Sequence, residues 1–277
     1  MKKTESPGLV TRNMIRTMKI IISLIFLLLF SALPIFAQTN AQIEKELVAS
    51  LKEIEKYSTY GSGYDEEKLT ETNDAFEKKL LKYTKAASTL AYKFGALGQL
   101  MHIATSDDGK FRIYSWDMEN GGTMHYYARV YQYKGADGKV YSKGESETEE
   151  GDNGSFVYDI FSVATKSGAV YIVCSTSIGD RSDHYQSADL FQITGGKIDD
   201  KVKLIKTSSG QTNRLGFEYN PWSISDRNGS FELIKFDKKT NTLKIPVVIE
   251  DKEYPNGKVT VKQISYRFDG TYFVKVG

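Results

Sequence analysis

Cysteine is almost absent from this chain. Cys174 stands alone, so no internal disulfide can form and the fold must be held by its core. Cys174 lies in the apolar run Val170-Tyr-Ile-Val-Cys-Ser-Thr176, the setting of a buried, inert thiol rather than a nucleophile. Histidine is nearly as scarce. His102, His125 and His184 are far apart, and no His-x-x-x-His, His-Glu-x-x-His or Cys-x-x-Cys spacing occurs, so neither a metal site nor a cofactor is expected. The absence of Gly-x-Ser-x-Gly removes the usual hydrolase serine elbow. A strong charge excess is missing too, with 37 basic against 35 acidic side chains. That balance, with basic residues scattered, leaves no electrostatic footprint for nucleic acid.

Long apolar runs are confined to one place. Arg16 and Lys19 precede the run from Ile20 to Phe30, and Ser31-Ala-Leu-Pro-Ile-Phe-Ala37 supplies a proline break and a small residue, the pattern of a secretory signal peptide over residues 1–37. Met14 and Met18 would each begin a more ordinary signal, which makes residues 1–13 an upstream extension. The competing reading is a retained anchor, because Ile20 to Phe36 approaches the ~20 apolar residues that cross a bilayer. Cleavage after Ala37 would leave 240 of the 277 residues. Five of the 37 basic and one of the 35 acidic side chains would go, leaving 32 against 34 and a net charge of −2. The expected location is periplasmic or extracellular, with no membrane span after cleavage.

Residues 38–95 read as a helical hairpin. Ile43, Leu47, Leu51 and Ile54 share a face of a first helix ending near Tyr57, and Leu69, Phe76, Leu80 and Tyr83 form the stripe of a second, from about Asp65 to Ala87. Tyr60-Gly-Ser-Gly-Tyr64 breaks the two. From Gln99 the period changes to two, and runs rich in Val, Ile, Tyr, Phe and Thr alternate with Asp-Gly and Asn-Gly turns, among them Asp108-Gly109, Asp137-Gly138 and Asn256-Gly257. Residues 96–277 are therefore expected to form an antiparallel β-meander of about a dozen strands, giving a mainly β, α+β chain. Two runs, Phe156 to Val163 and Ala169 to Thr176, are apolar on both faces and belong in a sheet covered on both sides. Leu243, Ile245, Val247 and Ile249 point one way and Lys244, Pro246, Val248 and Glu250 the other, and Pro246 points to an edge strand. Gly109-Lys-Phe-Arg-Ile-Tyr-Ser-Trp-Asp117 and Gly229-Ser-Phe-Glu-Leu-Ile-Lys-Phe-Asp237 match at four offsets, which keeps open a small propeller of about four ~40-residue blades.

The stretch from Tyr114 to Tyr127 carries the candidate site. The Glu119-Asn-Gly-Gly122 turn brings Trp116 and Asp117 toward His125 and Tyr127, and alternation along the second strand sets His125, Tyr127, Arg129, Tyr131 and Tyr133 opposite Met124, Tyr126, Ala128 and Val130. Flat rings with hydrogen-bonding tips suit a sugar or a peptide. Trp116, Asp117, Glu119, His125, Tyr127, Arg129 and Tyr131 are therefore the expected binding residues, and the alternative is ordinary cross-strand pairing on a half-exposed sheet. Residues 145–154 hold five acids without the order of a calcium loop, and read as a solvated hairpin tip. Asn153-Gly-Ser and Asn228-Gly-Ser match a glycosylation acceptor.

In composition, a signal-like segment followed by Tyr- and Lys-rich strands with Asp-Gly turns resembles exported proteins of Gram-negative envelopes, and no family motif accompanies it. The expected function is a non-enzymatic exported domain that binds a glycan or an envelope protein. Two alternatives stay open. One is a polysaccharide or peptidoglycan hydrolase using Asp117, Glu119 and His125. The other is an inhibitor of a secreted enzyme, with the acidic loop as its finger.

Overall fold

The computed structural model describes residues 38–145, 152–224 and 232–276. The expected signal segment, most of the acidic stretch, the 226–229 turn and the second Asn-Gly-Ser lie outside them. Among the described residues the chain is mainly β, with antiparallel sheets and a few N-terminal helices, and no helix is long and apolar enough to cross a membrane.

Helix α1 (Asn40–Glu55) buries the predicted stripe, Ile43, Leu47, Leu51 and Ile54. Helix α2 (Glu66–Tyr83) is capped by Asp65, whose side chain accepts the Lys68 N–H, with Glu66 and Glu67 in its first turn and Lys82 in its last, each favoured by the helix dipole. It stops at Tyr83, short of the expected Ala87. The Thr84 hydroxyl takes the Leu80 carbonyl at 2.6 Å, and the chain turns into the one-turn helix α3 (Ala87–Leu90).

The first sheet is the meander β1 (His102–Thr105), β2 (Phe111–Asp117), β3 (Tyr127–Lys134) and β4 (Val140–Gly144). The second contains β5 (Phe156–Thr165), β6 (Gly168–Ile178), β7 (His184–Thr194) and β8 (Lys197–Asp199). The chain then lays down β9 (Ile205–Thr207) and β10 (Gly210–Thr212) in a third sheet, returns to the second with β11 (Arg214–Tyr219) beside β7, and completes the third with β12 (Lys235–Asp237), β13 (Thr242–Ile249), β14 (Lys258–Phe268) and β15 (Phe273–Val276). One pairing departs from the antiparallel expectation: β15 runs parallel to β9, through Phe273–Ile205 and Val274–Lys206. Among the described residues the crossover is made by the intervening strands and one 3-10 turn, with no α-helix.

Three cores stack these elements into four layers. Leu47, Ile54, Phe76 and Leu80 of the helices pack on Tyr114, Trp116 and Val130, which share one face of the first sheet. Its other face, with Phe111, Ile113, Tyr131 and Tyr133, packs on Val157, Ile160, Tyr171 and Val173 of the second sheet. The opposite face of the second sheet, with Ile172, Cys174, Ala188 and Leu190, meets Leu243, Ile245, Tyr266 and Phe273 of the third. The second sheet is thus covered on both sides, as its two-sided apolar strands require. This demand for cover favours stacked sheets over blades around an axis, and the propeller alternative does not form. The matched segments end in β2 and β12, in different sheets, so they are not blades repeated around one axis.

Pro246 lies where β13 loses its outer neighbour, because β12 pairs only with Thr242, Leu243 and Lys244. A bulge between Pro246 and Val248 then interrupts the alternation. Leu243 and Ile245 are buried as expected, whereas Ile249 is 46% exposed.

Candidate functional site

The loop joining β2 to β3 is built by short-range chemistry and held from three directions. Asp117 ends β2 opposite Tyr127, the first residue of β3. Its Oδ1 accepts the Glu119 N–H at 2.8 Å, which fixes the turn, and Glu119 adopts a left-handed backbone with φ 60°. Gly121 is required next, since a Cβ there would lie 1.9 Å from the Met124 carbonyl oxygen. From the break between α1 and α2, Thr59 donates its N–H to the Glu119 carbonyl at 2.9 Å, and the Ser58 hydroxyl donates to Glu119 Oε2 at 2.7 Å. On the other side the His125 N–H donates to the Ile178 carbonyl at the end of β6. Asn153 donates its side-chain amide to the His125 and Ile178 carbonyls, both at 3.0 Å.

This scaffold places His125 against Asp117, with Nδ1 2.5 Å from Oδ2. A carboxylate oxygen only accepts, so Nδ1 donates in this contact and Nε2 is left for other partners. Tyr60 and Tyr127 flank the imidazole, with ring centroids at 5.4 and 6.3 Å, and the Tyr60 hydroxyl comes within 3.3 Å of Nδ1. Burial, then the charges of Asp117 and Glu119, push the Tyr60 hydroxyl up to about 12. The same causes hold the Tyr127 hydroxyl above its ordinary range, with Tyr60 adding to them. Burial raises the Glu119 carboxyl as well. The Ser58 bond opposes that rise, and the neighbouring negative charges of Asp117 and Glu55 reinforce it.

Of the seven expected residues, Asp117, Glu119, His125 and Tyr127 therefore come together. Trp116, Arg129 and Tyr131 do not join them, because both faces of the first sheet are covered. Trp116 is 2% exposed and faces the helices, where its indole N–H donates to Asn73 Oδ1 at 3.0 Å and its ring meets Phe76 edge-on. Arg129 and Tyr131 lie between the first and second sheets. The Arg129 guanidinium grips the Glu145 carboxylate with two nitrogens and donates to Ser155, and the Tyr131 hydroxyl donates to the same carboxylate at 3.0 Å. The half-exposed aromatic face expected along β3 is thus an internal seam.

Two aromatics escaped the sequence reading. Tyr60, 45% exposed, is supplied by the helix break 65 residues before His125, and its only signal was the pair of tyrosines flanking Gly-Ser-Gly. Trp222, on a 3-10 turn capped by Asn220, is 66% exposed. Among the described residues no cluster of His, Cys, Asp or Glu could hold a metal ion. Cys174 is fully buried, and burial lifts its thiol well above the ordinary range. Asn153 is a poor glycan acceptor, since its amide is committed to His125 and Ile178 and the following Ser155 is buried. Comparison with protein-family models, with curated proteins and with solved structures gives no match for this chain.

Proposed function

We propose that the protein is an exported, non-enzymatic binding module, periplasmic or extracellular, that takes a glycan against Tyr60, His125 and Tyr127. The observation that supports this reading is the fixed imidazole, flanked by two tyrosines and held by the Asp117 carboxylate. Sugars offer apolar C–H faces to rings and hydroxyls to carboxylates, and a site already held by hydrogen bonds loses little freedom on binding. An envelope protein could occupy the same patch, and capture from envelope extracts would reveal it. Thermal unfolding against a panel of envelope and dietary glycans tests the reading. A ligand at 100 times its dissociation constant adds ~2.7 kcal/mol, which raises the midpoint by roughly 5–10 °C in a domain of this size. Tyr60→Ala, at an exposed ring outside the cores, should abolish the shift. A panel without effect, or a shift that survives Tyr60→Ala, overturns the assignment. Export is tested separately by cell fractionation and N-terminal mass: mature protein beginning at Gln38 is expected, and intact cytoplasmic chain contradicts it.

The Asp117–His125 pair favours a second reading, hydrolysis of polysaccharide or peptidoglycan. With Nδ1 bound to Asp117, Nε2 can take a proton from water, and a Glu119 carboxyl raised by burial can donate one. Turnover of a cell-wall or plant polymer that disappears in Asp117→Asn would establish it, and silence across the polymer panel would dispose of it. Inhibition of a secreted enzyme would need the acidic finger, most of which lies outside the described residues.

A further inference from the structure

The outer face of the third sheet holds an open depression of about 380 Å³, lined by Val276 and by six polar residues, Asp237, Thr240, Thr242, Lys244, Ser265 and Arg267. Register places these side chains together: Thr242 lies opposite Arg267 and Lys244 opposite Ser265, while the intervening Leu243 and Tyr266 enter the core. Lys244 also lies directly opposite Lys235 on β12, an arrangement of like charges that destabilises adjacent strands. Lys235 is drawn off by Glu232 at 3.5 Å, whereas neither Lys244 nor Arg267 makes an ion pair with a described carboxylate.

A chain of hydroxyls fixes the floor. Thr240 Oγ1 and Thr242 Oγ1 lie 2.9 Å apart, Thr242 donates to the Thr240 carbonyl at 3.3 Å, and Arg267 Nε reaches Thr242 Oγ1 at 3.4 Å, which leaves the terminal guanidinium nitrogens without a described partner. Asp237 is the one carboxylate in the lining. Its Oδ1 accepts the Lys239 N–H at 2.9 Å, and the Thr240 hydroxyl, that amide and then the Lys244 charge hold the carboxyl below its ordinary range. Two cations against one engaged carboxylate leave the depression at +1. The depression is open, and beside the two cations the Ser265 hydroxyl, which makes no described hydrogen bond, can meet a polyol.

We propose that this depression binds a sugar carrying a single anionic group, a carboxylate or a phosphate, with Lys244 and Arg267 on the charge and the Thr240 and Ser265 hydroxyls on the ring. It is separate from the Tyr60–His125 patch and does not rest on that reading. Calorimetric titration of the full chain at low salt, with glucuronate, glucose 6-phosphate, inorganic phosphate and glucose as probes, tests it. One or both anionic sugars should bind and glucose should not, and the preferred probe distinguishes carboxylate from phosphate. Lys244→Gln and Arg267→Gln should each weaken binding about tenfold, the loss of a charge-assisted hydrogen bond, while Lys252→Gln changes nothing. Should Arg267→Gln fail to fold, Ser265→Phe, which fills the depression, should abolish binding instead. Failure of both anionic sugars to bind, or unchanged affinity in the Lys244 and Arg267 variants, overturns the proposal. Inorganic phosphate binding as tightly as the sugars overturns the assignment to a sugar.

Discussion

Trp116→Ala separates a structural ring from a binding one. The residue was expected on a recognition face, and the fold buries it between α2 and β2 at 2% exposure. Truncation opens a cavity against Phe76 and leaves Asn73 Oδ1 without its indole donor. Trp-to-Ala changes in a core cost ~3–5 kcal/mol, and an orphaned buried acceptor adds about 1–3 kcal/mol. The sum, roughly 4–8 kcal/mol, is a large part of the ~5–15 kcal/mol that holds a typical domain folded. At ~2–4 °C per kcal/mol the melting midpoint should fall by at least about 8 °C. Circular dichroism against temperature reads the effect, with Trp222→Ala as the control. That ring is 66% exposed, and its loss should change stability by no more than about 0.5 kcal/mol. Since these are the chain's two tryptophans, fluorescence gives a second readout: Trp222→Ala should leave emission that iodide barely quenches. A Trp116→Ala protein melting within about 3 °C of the parent would refute the packing described for the first sheet.

Three further outcomes follow from the same contacts. Arg129→Met leaves the half-buried Glu145 carboxylate with the Tyr131 hydroxyl as its remaining described donor, and denaturant unfolding should show a loss of about 1–3 kcal/mol. Gly121→Ala forces a Cβ into the Met124 carbonyl, and hydrogen exchange should show faster opening of the loop amides, the His125 N–H included, with β5 and β6 unaffected. Glu119 has a folded pKa above its ordinary 4.5, so its contribution is fully present below that value and is lost as pH rises through the folded pKa. Glu119→Gln, which keeps an acceptor for Ser58, should therefore match the parent near pH ~4 and melt above it near pH ~7. An equal difference at both would remove the shift as an explanation.

The helices were legible because their spacing and caps are local: the stripe of α1 and the Asp65 cap of α2 need no tertiary information. The central sheet was legible for a related reason, since strands apolar on both faces state that both faces are covered. β3 was misread because alternation separates two faces without saying what covers each. Ala128 and Val130 face helices, Tyr131 and Tyr133 face another sheet, and polar tips that looked ready for a ligand turn out to satisfy one another. Arg129 and Tyr131 both end on Glu145, a residue that read as part of a solvated acidic tip. The join between Tyr60 and His125 was out of reach altogether. It depends on Ser58 and Thr59 docking on a hairpin tip about sixty residues away, and no periodicity records such a contact.

Glu119 decides between a structural loop and a functional one. A left-handed backbone costs a residue with a side chain roughly 1–2 kcal/mol, and glycine would adopt it freely. Glu119→Gly keeps every backbone bond of the turn, since the N–H to Asp117 and the carbonyl to Thr59 do not involve the side chain. It loses the Ser58 bond, worth about 1 kcal/mol, and adds unfolded-chain entropy of about 0.5–1 kcal/mol. Near pH ~4, where removing the carboxylate carries no charge effect, relief and loss nearly cancel, so the melting midpoint should stay within about 3 °C of the parent. If the carboxylate serves a ligand, binding or turnover at the patch should fall about tenfold at unchanged stability, the loss of one charge-assisted hydrogen bond. A loss of more than ~3 kcal/mol would instead make Glu119 the pin that holds the hairpin to the helices. Full retention of binding would take the carboxylate out of the site and leave recognition to the three rings and Asp117.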